Sequence, residues 1–197
     1  MATPPNLTST QPRAKPFVER WYFTGMAIVM FAVSIAGFMP AIVHPAGRRA
    51  PLTLLAAAHG MVVFAWLLLF LAQSLLAATG RVQLHRRLGL SSVVLLVLMI
   101  PLGFLTTTAM VRRGFDLSGD QHIGFPPPRG LDEYTGSLFN FGGLLEFTIL
   151  AVAAICYRHR PEIHRRLILF ANIELMGPPI THLIGIYRRW NSRLLRF

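Results

Sequence analysis

The stretch LTLLAAAHGMVVFAWLLLFLAQSLLAAT, residues 52–79, decides the fold of this chain. It contains no Asp, Glu, Lys or Arg, and it exceeds the roughly 20 residues with which an α-helix crosses the apolar core of a bilayer. Backbone N–H and C=O groups inside a bilayer must pair within their own segment, which excludes an open strand. The stretch therefore predicts a transmembrane helix.

Four further apolar blocks lie on either side of this stretch, and each is also long enough to span a bilayer. They cover about 21–43, 88–111, 134–157 and 167–187. We therefore predict an all-α fold, a polytopic transmembrane bundle of about five helices. Residues 1–16, rich in Pro, Thr, Ser and Asn, predict a disordered tail, which leaves 17–197 as a single transmembrane domain.

The distribution of charge supports a membrane location. Only 14% of the residues are charged, against roughly 25% in soluble domains. The net charge of +11 is almost entirely arginine, since Lys15 is the only lysine. The arginines stand in pairs at the ends of the apolar blocks, which predicts contact with membrane lipids rather than with nucleic acid. The basic short loops 80–87 and 158–166 favour a cytoplasmic N-terminus.

Two histidines lie inside the predicted spans, where ionisable groups are costly and are candidates for function. His59 is seven residues into its block and His182 is five before the end of its own. Both are therefore roughly 8–11 Å inside the same boundary. Two imidazoles at one depth suit the axial positions of a haem iron. Hydrogen bonds across helix contacts are the alternative role for these side chains.

A short motif occurs twice, at the start of the third and fifth blocks. Leu84-His85-Arg86-Arg87-Leu88 and Ile163-His164-Arg165-Arg166-Leu167 each follow an apolar block and a short basic loop, which indicates a helical hairpin used twice. His85 and His164 are candidate ligands of a second haem, and Arg86 and Arg165 suit haem propionates, a quinone or a lipid phosphate. The alternative is simple contact with anionic headgroups.

Two carboxyl groups also lie near the middle of predicted spans. Glu146 belongs to the fourth block and Glu174 to the fifth. A carboxyl group in an apolar setting can stay protonated, so the pair predicts either a proton relay or a structural hydrogen bond. Pro178-Pro179 predicts a kink before His182. The small residues Gly60, Gly177 and Gly185 predict points where a flat macrocycle or another helix approaches closely.

These motifs resemble two kinds of protein. Ala58-His59-Gly60, the Trp66–Gln73 stretch and the two His-Arg-Arg-Leu segments are similar to a group of poorly characterised bacterial multi-pass proteins, which implies the bacterial inner membrane. The placement of histidines on facing helices resembles di-haem cytochromes of the b561 type. That resemblance implies two haems, held by His59, His85, His164 and His182. The departure is that His85 and His164 lie at or beyond the hydrocarbon boundary.

Two functional hypotheses follow from these features. The first is a membrane electron-transfer protein that binds haem b through His59 and His182 and works with a quinone or another membrane redox protein. The second is a non-enzymatic accessory or assembly subunit or a small transporter, in which the intramembrane His and Glu side chains serve packing or a proton path.

Overall fold

The computed structural model describes residues 17–43, 52–112 and 133–194 of the chain. The predicted disordered tail, 1–16, lies outside these ranges. The described residues form α-helices and no strand, which confirms the predicted all-α class. The helices are α1 (Phe17–Val43), α2 (Leu54–Ala78), α3 (Val82–Arg112), α4 (Glu133–Cys156), α5 (Pro161–Glu174) and α6 (Gly177–Leu194).

The lengths and compositions of these helices are those of a multi-pass membrane protein. Each of the first four helices contains a segment long and apolar enough to cross a bilayer. Helices α5 and α6 pass the same test only when taken together, and they bend by 41° where they meet. The described part of the chain thus supplies four spans, or five if the bent pair is one broken span.

The break between α5 and α6 confirms the predicted kink and shows its cause. The N–H groups of Leu175 and Met176 donate to the carbonyls of Asn172 and Ile173, three residues back, which tightens and ends α5. The prolines that follow have no N–H to continue the ladder, but their fixed φ suits the first turn of a new helix. Helix α6 therefore starts at Gly177, immediately before Pro178-Pro179.

Helices α3 and α5 each begin about six residues before the onset of their apolar sequence. Helix α3 starts at Val82 rather than near 88, and the fifth span starts at Pro161 rather than near 167. Gly80, with a φ of +76°, makes the tight turn that lets α3 follow α2 at once. Pro161 occupies the first turn of α5, where a missing N–H costs nothing. Both basic motifs are therefore helical.

The helices pack mainly with their neighbours in the chain. Helix α2 lies against α3, and α4 lies against α5, so that two helical hairpins form. Helices α3 and α4 join the hairpins, and α1 packs against both α2 and α6. Trp66, Met99, Phe147 and Ala171 belong to the buried core between the helices. This arrangement makes the two His-Arg-Arg-Leu helix starts structural equivalents.

Candidate functional site

The structure brings His85 and His164 together. Each is the fourth residue of its helix, α3 or α5, so the two rings project from equivalent first turns. Their ring centroids are 6.5 Å apart, and the ring planes are nearly perpendicular at 83°. Both side chains are partly buried at the end of the bundle where α2 meets α3 and α4 meets α5.

Each ring of this pair is oriented by the hairpin to which it belongs. Nδ1 of His85 lies 3.3 Å from the carbonyl oxygen of Gln73 on α2. Nδ1 of His164 lies 2.7 Å from the carbonyl oxygen of Ala154 on α4. Because a carbonyl only accepts, Nδ1 must carry the proton in both bonds. The lone pair of each neutral imidazole is then on Nε2, the arrangement seen in metal-binding histidines.

The Gln73 side chain completes the first of these contacts. The side-chain Nε2 of Gln73 donates to the backbone carbonyl oxygen of His85 at 3.1 Å, while the backbone carbonyl oxygen of Gln73 accepts from the His85 ring. This reciprocal pair fixes both the backbone and the imidazole of His85. The sequence places Gln73 on the same helix face as His59 and Trp66, but it gives no sign of this partner. The contact at Ala154 uses backbone only, so no residue type marks it.

The two predicted arginines differ in their surroundings. Arg86 is exposed on α3, directly after His85. Arg165 is partly buried, forms an ion pair with Glu162 and places its guanidinium carbon 5.1 Å from the centroid of the Phe23 ring. Both lie at the same end of the bundle as the histidine pair. Arg86 belongs to the same turn of α3 as His85, and Arg165 belongs to the same turn of α5 as His164.

The geometry of the pair suits one kind of metal chemistry. Metal–nitrogen bonds of about 2.0–2.1 Å would put two imidazoles on opposite sides of one metal with their centroids about 6–7 Å apart. Two imidazoles alone fall short of the three or four protein ligands that zinc takes. Two are enough for an iron already held by a tetrapyrrole. Within the described ranges, no group of three or more His, Cys, Asp or Glu side chains is placed to hold a metal ion.

His59 faces the interior of the bundle between α2, α3 and α4. Its Cε1 would lie 3.7 Å from a Cβ atom built on Gly103, and Leu144 of α4 contacts the same point. Its Nδ1 is buried and has no hydrogen-bond partner among the described residues. A buried imidazole nitrogen without a partner is costly and is a candidate for ligand binding.

His182 lies against a different helix. Its ring centroid is 4.7 Å from that of Phe38 on α1, and α1 packs against both α2 and α6. The contacts of His182 thus point towards α1, whereas those of His59 point towards α3 and α4. The pairing of His59 with His182 on one iron stays a prediction.

The two membrane carboxyl groups do meet. Glu146 of α4 and Glu174 of α5 lie close enough for their carboxyl groups to interact. Glu146 is exposed on the outer surface of α4, and Glu174 is the last residue of α5, directly before the helix break. Two carboxyl groups can bond only through a proton that one of them carries. The arrangement is compatible with either role predicted from the sequence, a proton relay or a structural bond.

Two of the three predicted glycines, Gly60 and Gly177, have no other described helix close to them. A Cβ atom at Gly60 or Gly177 would meet nothing within 4 Å. At Gly37 it would come within 2.6 Å of the Pro179 carbonyl oxygen, and at Gly103 within 3.0 Å of Leu144. No other helix among those described therefore approaches Gly60 or Gly177 closely, and the close approach of a flat macrocycle at these glycines stays a prediction.

Comparison with known proteins gives no match for this chain, whether to a protein-family model, a curated protein or a solved structure. The resemblances noted from the sequence stay predictions. Function must be inferred from the residues themselves, and His85 and His164 form the best-defined polar site among those described.

Proposed function

We propose that this membrane protein binds a b-type haem between His85 and His164 and transfers electrons with a quinone or another membrane redox protein. The observation that carries the proposal is the proximity of two histidine rings that are each held through Nδ1. Both donate Nδ1–H to a backbone carbonyl, and their centroids are 6.5 Å apart. With Nδ1 occupied in this way, the Nε2 atoms of His85 and His164 are the groups that would hold a haem iron.

The surrounding charges support the same function. Arg86 directly follows the ligand His85 in sequence, and haem propionates are carboxylates that a guanidinium group binds well. In the predicted orientation, within a bacterial inner membrane, this haem lies near the cytoplasmic face. The architecture then resembles half of a di-haem cytochrome of the b561 type, with α2–α3 and α4–α5 as the two hairpins that hold the cofactor.

A second haem between His59 and His182 has weaker support. The two residues share a depth in the bilayer, and His59 has a buried Nδ1 without a described partner. Their neighbours differ, however, since His182 packs on Phe38 and His59 lies near Gly103. Ligation by this pair requires at least one of the rings to turn away from the contacts that it makes here.

The visible spectrum of the detergent-purified protein tests the proposal. We expect a Soret band that shifts on reduction with dithionite, and a pyridine haemochromogen assay should give one haem b per chain. His85→Ala and His164→Ala should each abolish the low-spin spectrum. His159→Ala is the matched control, because His159 is exposed in the neighbouring turn. In His164→Gly, added imidazole should restore the spectrum if the residue is a ligand.

Different results would contradict this assignment. A folded protein without haem after expression in a haem-replete host would exclude the proposed function. A second contrary result is a haem spectrum that disappears in His59→Ala and His182→Ala while it persists in His85→Ala and His164→Ala. That result would assign the iron ligands to His59 and His182. Size-exclusion chromatography of each variant separates loss of a ligand from loss of the fold.

A small proton-coupled transporter is the second candidate function. It is favoured by the adjacent carboxyl groups of Glu146 and Glu174 beside the 41° break between α5 and α6. Broken membrane helices with ionisable side chains are typical of transport sites. This candidate predicts an optically silent protein in which Glu174→Gln abolishes proton-dependent uptake in proteoliposomes. If His85→Ala loses haem while Glu174→Gln leaves proton-dependent uptake unchanged, electron transfer is favoured over transport.

A further inference from the structure

A groove lies between the start of α1 and the first half of α5, on the same end of the bundle as the histidine pair. It has a volume of about 570 Å³ and is lined by Tyr22, Phe23, Arg165, Arg166, Leu169 and Phe170. Binding sites for small molecules commonly have volumes of about 300–1,000 Å³. We propose that this groove binds one anionic phospholipid, with the phosphate at the arginines and an acyl chain along the aromatic residues.

The charge of the groove favours an anion. Two of its six lining residues are arginines, and none is acidic. Arg165 forms an ion pair with Glu162 and stacks over Phe23, so its guanidinium group is held in one position. Arg166 is exposed and adds a second positive charge. Guanidinium groups bind phosphate oxygens in pairs, which gives both affinity and orientation.

The position of the groove in the membrane favours a lipid over a soluble anion. Arg165 and Arg166 follow the first turn of α5, whereas Leu169 and Phe170 lie one turn deeper. Tyr22 is 51% exposed and Phe170 is 54% exposed, so the groove opens on the side of the bundle that faces the acyl chains. The arginines of the groove lie at headgroup level and its aromatic residues lie deeper, so the groove matches a lipid with an anionic headgroup and an apolar chain.

Native mass spectrometry of the full chain, with lipid added after delipidation, tests this proposal. We expect one phosphatidylglycerol to bind with at least tenfold preference over phosphatidylcholine. Arg166→Gln should lower phosphatidylglycerol affinity at least fivefold, and Arg165→Gln with Arg166→Gln should lower it further. Arg87→Gln is the matched control, because Arg87 holds the equivalent place in α3, is exposed and lies outside the groove. That variant should bind lipid as the unmodified chain does.

Two further experiments distinguish a lipid from free phosphate, and a third separates lipid binding from haem binding. Inorganic phosphate in large excess should not displace phosphatidylglycerol, and Phe170→Ala should weaken binding of long-chain but not short-chain lipid. Equal loss in Arg87→Gln and Arg166→Gln, or displacement by inorganic phosphate, would overturn the proposal. Arg166 is exposed, so its substitution should leave the fold intact. The haem content of Arg166→Gln should be unchanged, which keeps this result independent of the proposed function.

Discussion

The indole Nε1 of Trp66 on α2 donates a hydrogen bond of 3.2 Å to Oδ1 of Asn172 on α5. Both residues are buried, and Asn172 has no exposed surface. The Asn172 amide also donates to the carbonyl oxygen of Ile168 at 2.7 Å, and the indole packs edge-on against Phe147 of α4. The hydrogen bond thus connects α2 with α5, and the ring contact adds α4, so that the two hairpins are joined at the centre of the bundle.

Removal of this contact should destabilise the bundle. In Asn172→Leu the indole N–H is left buried without an acceptor, which should lower the free energy of unfolding by about 1–3 kcal/mol. A double-mutant cycle with Trp66→Phe should give a coupling of about 0.6–1.7 kcal/mol, the range for hydrogen bonds between membrane helices. Unfolding in mixed micelles measures both quantities. Additive effects of the two changes would show that the bond contributes nothing.

The packing of α1 against α6 should depend on Gly37. A Cβ atom there would come within 2.6 Å of a backbone oxygen and 2.9 Å of the Cα of Pro179, and backbone cannot move aside as a side chain can. Gly37→Ala should therefore destabilise the protein by about 1–3 kcal/mol. Gly25→Ala on the same helix is the control. A Cβ atom at Gly25 meets nothing within 4 Å, so the Gly25→Ala protein should be as stable as the native protein or more stable by up to about 1 kcal/mol. Similar unfolding midpoints for the Gly37→Ala and Gly25→Ala proteins would contradict the close approach of Gly37 to Pro179.

The second contact of the histidine pair should affect haem retention. Gln73→Ala removes the side-chain bond to the His85 carbonyl but keeps the backbone carbonyl that orients the ring. We expect haem affinity to fall by about 10- to 100-fold, as for other changes in the groups that support a ligand. Haem transfer to apomyoglobin measures this loss. Gln83→Ala, at an exposed position on the same turn of α3, should not change the transfer rate.

The Glu146–Glu174 bond should survive replacement of either carboxyl group by an amide. A glutamine amide can donate the hydrogen bond that the shared proton makes in the native pair, so Glu174→Gln should fold normally. Glu174→Leu leaves Glu146 without this partner and should lower stability by about 1–3 kcal/mol. Infrared spectra should show a protonated carboxyl band in the native protein that disappears in Glu174→Gln. A native protein without that band would exclude a shared proton.

Much of the fold is predictable from local sequence. The apolar blocks, the kink at Pro178-Pro179 and the repeated helix starts at His85 and His164 all appear in the structure. The site is less predictable. Depth along a helix follows from counting residues, and it matches His59 with His182. Rotation about the helix axis and the choice of neighbouring helix do not follow from counting. Those two quantities place His182 on Phe38, and they bring His85 to His164, a pair that counting also puts at one depth.

The sequence alone determined that this is a helical membrane protein and approximately where each helix lies. Each crossing is encoded in one continuous apolar segment, because a bilayer forces backbone groups to pair within that segment. Only the tertiary structure decided which polar side chains meet. Contacts such as His164 with the Ala154 carbonyl join residues on different helices. They depend on how those helices pack and turn, which no single segment specifies.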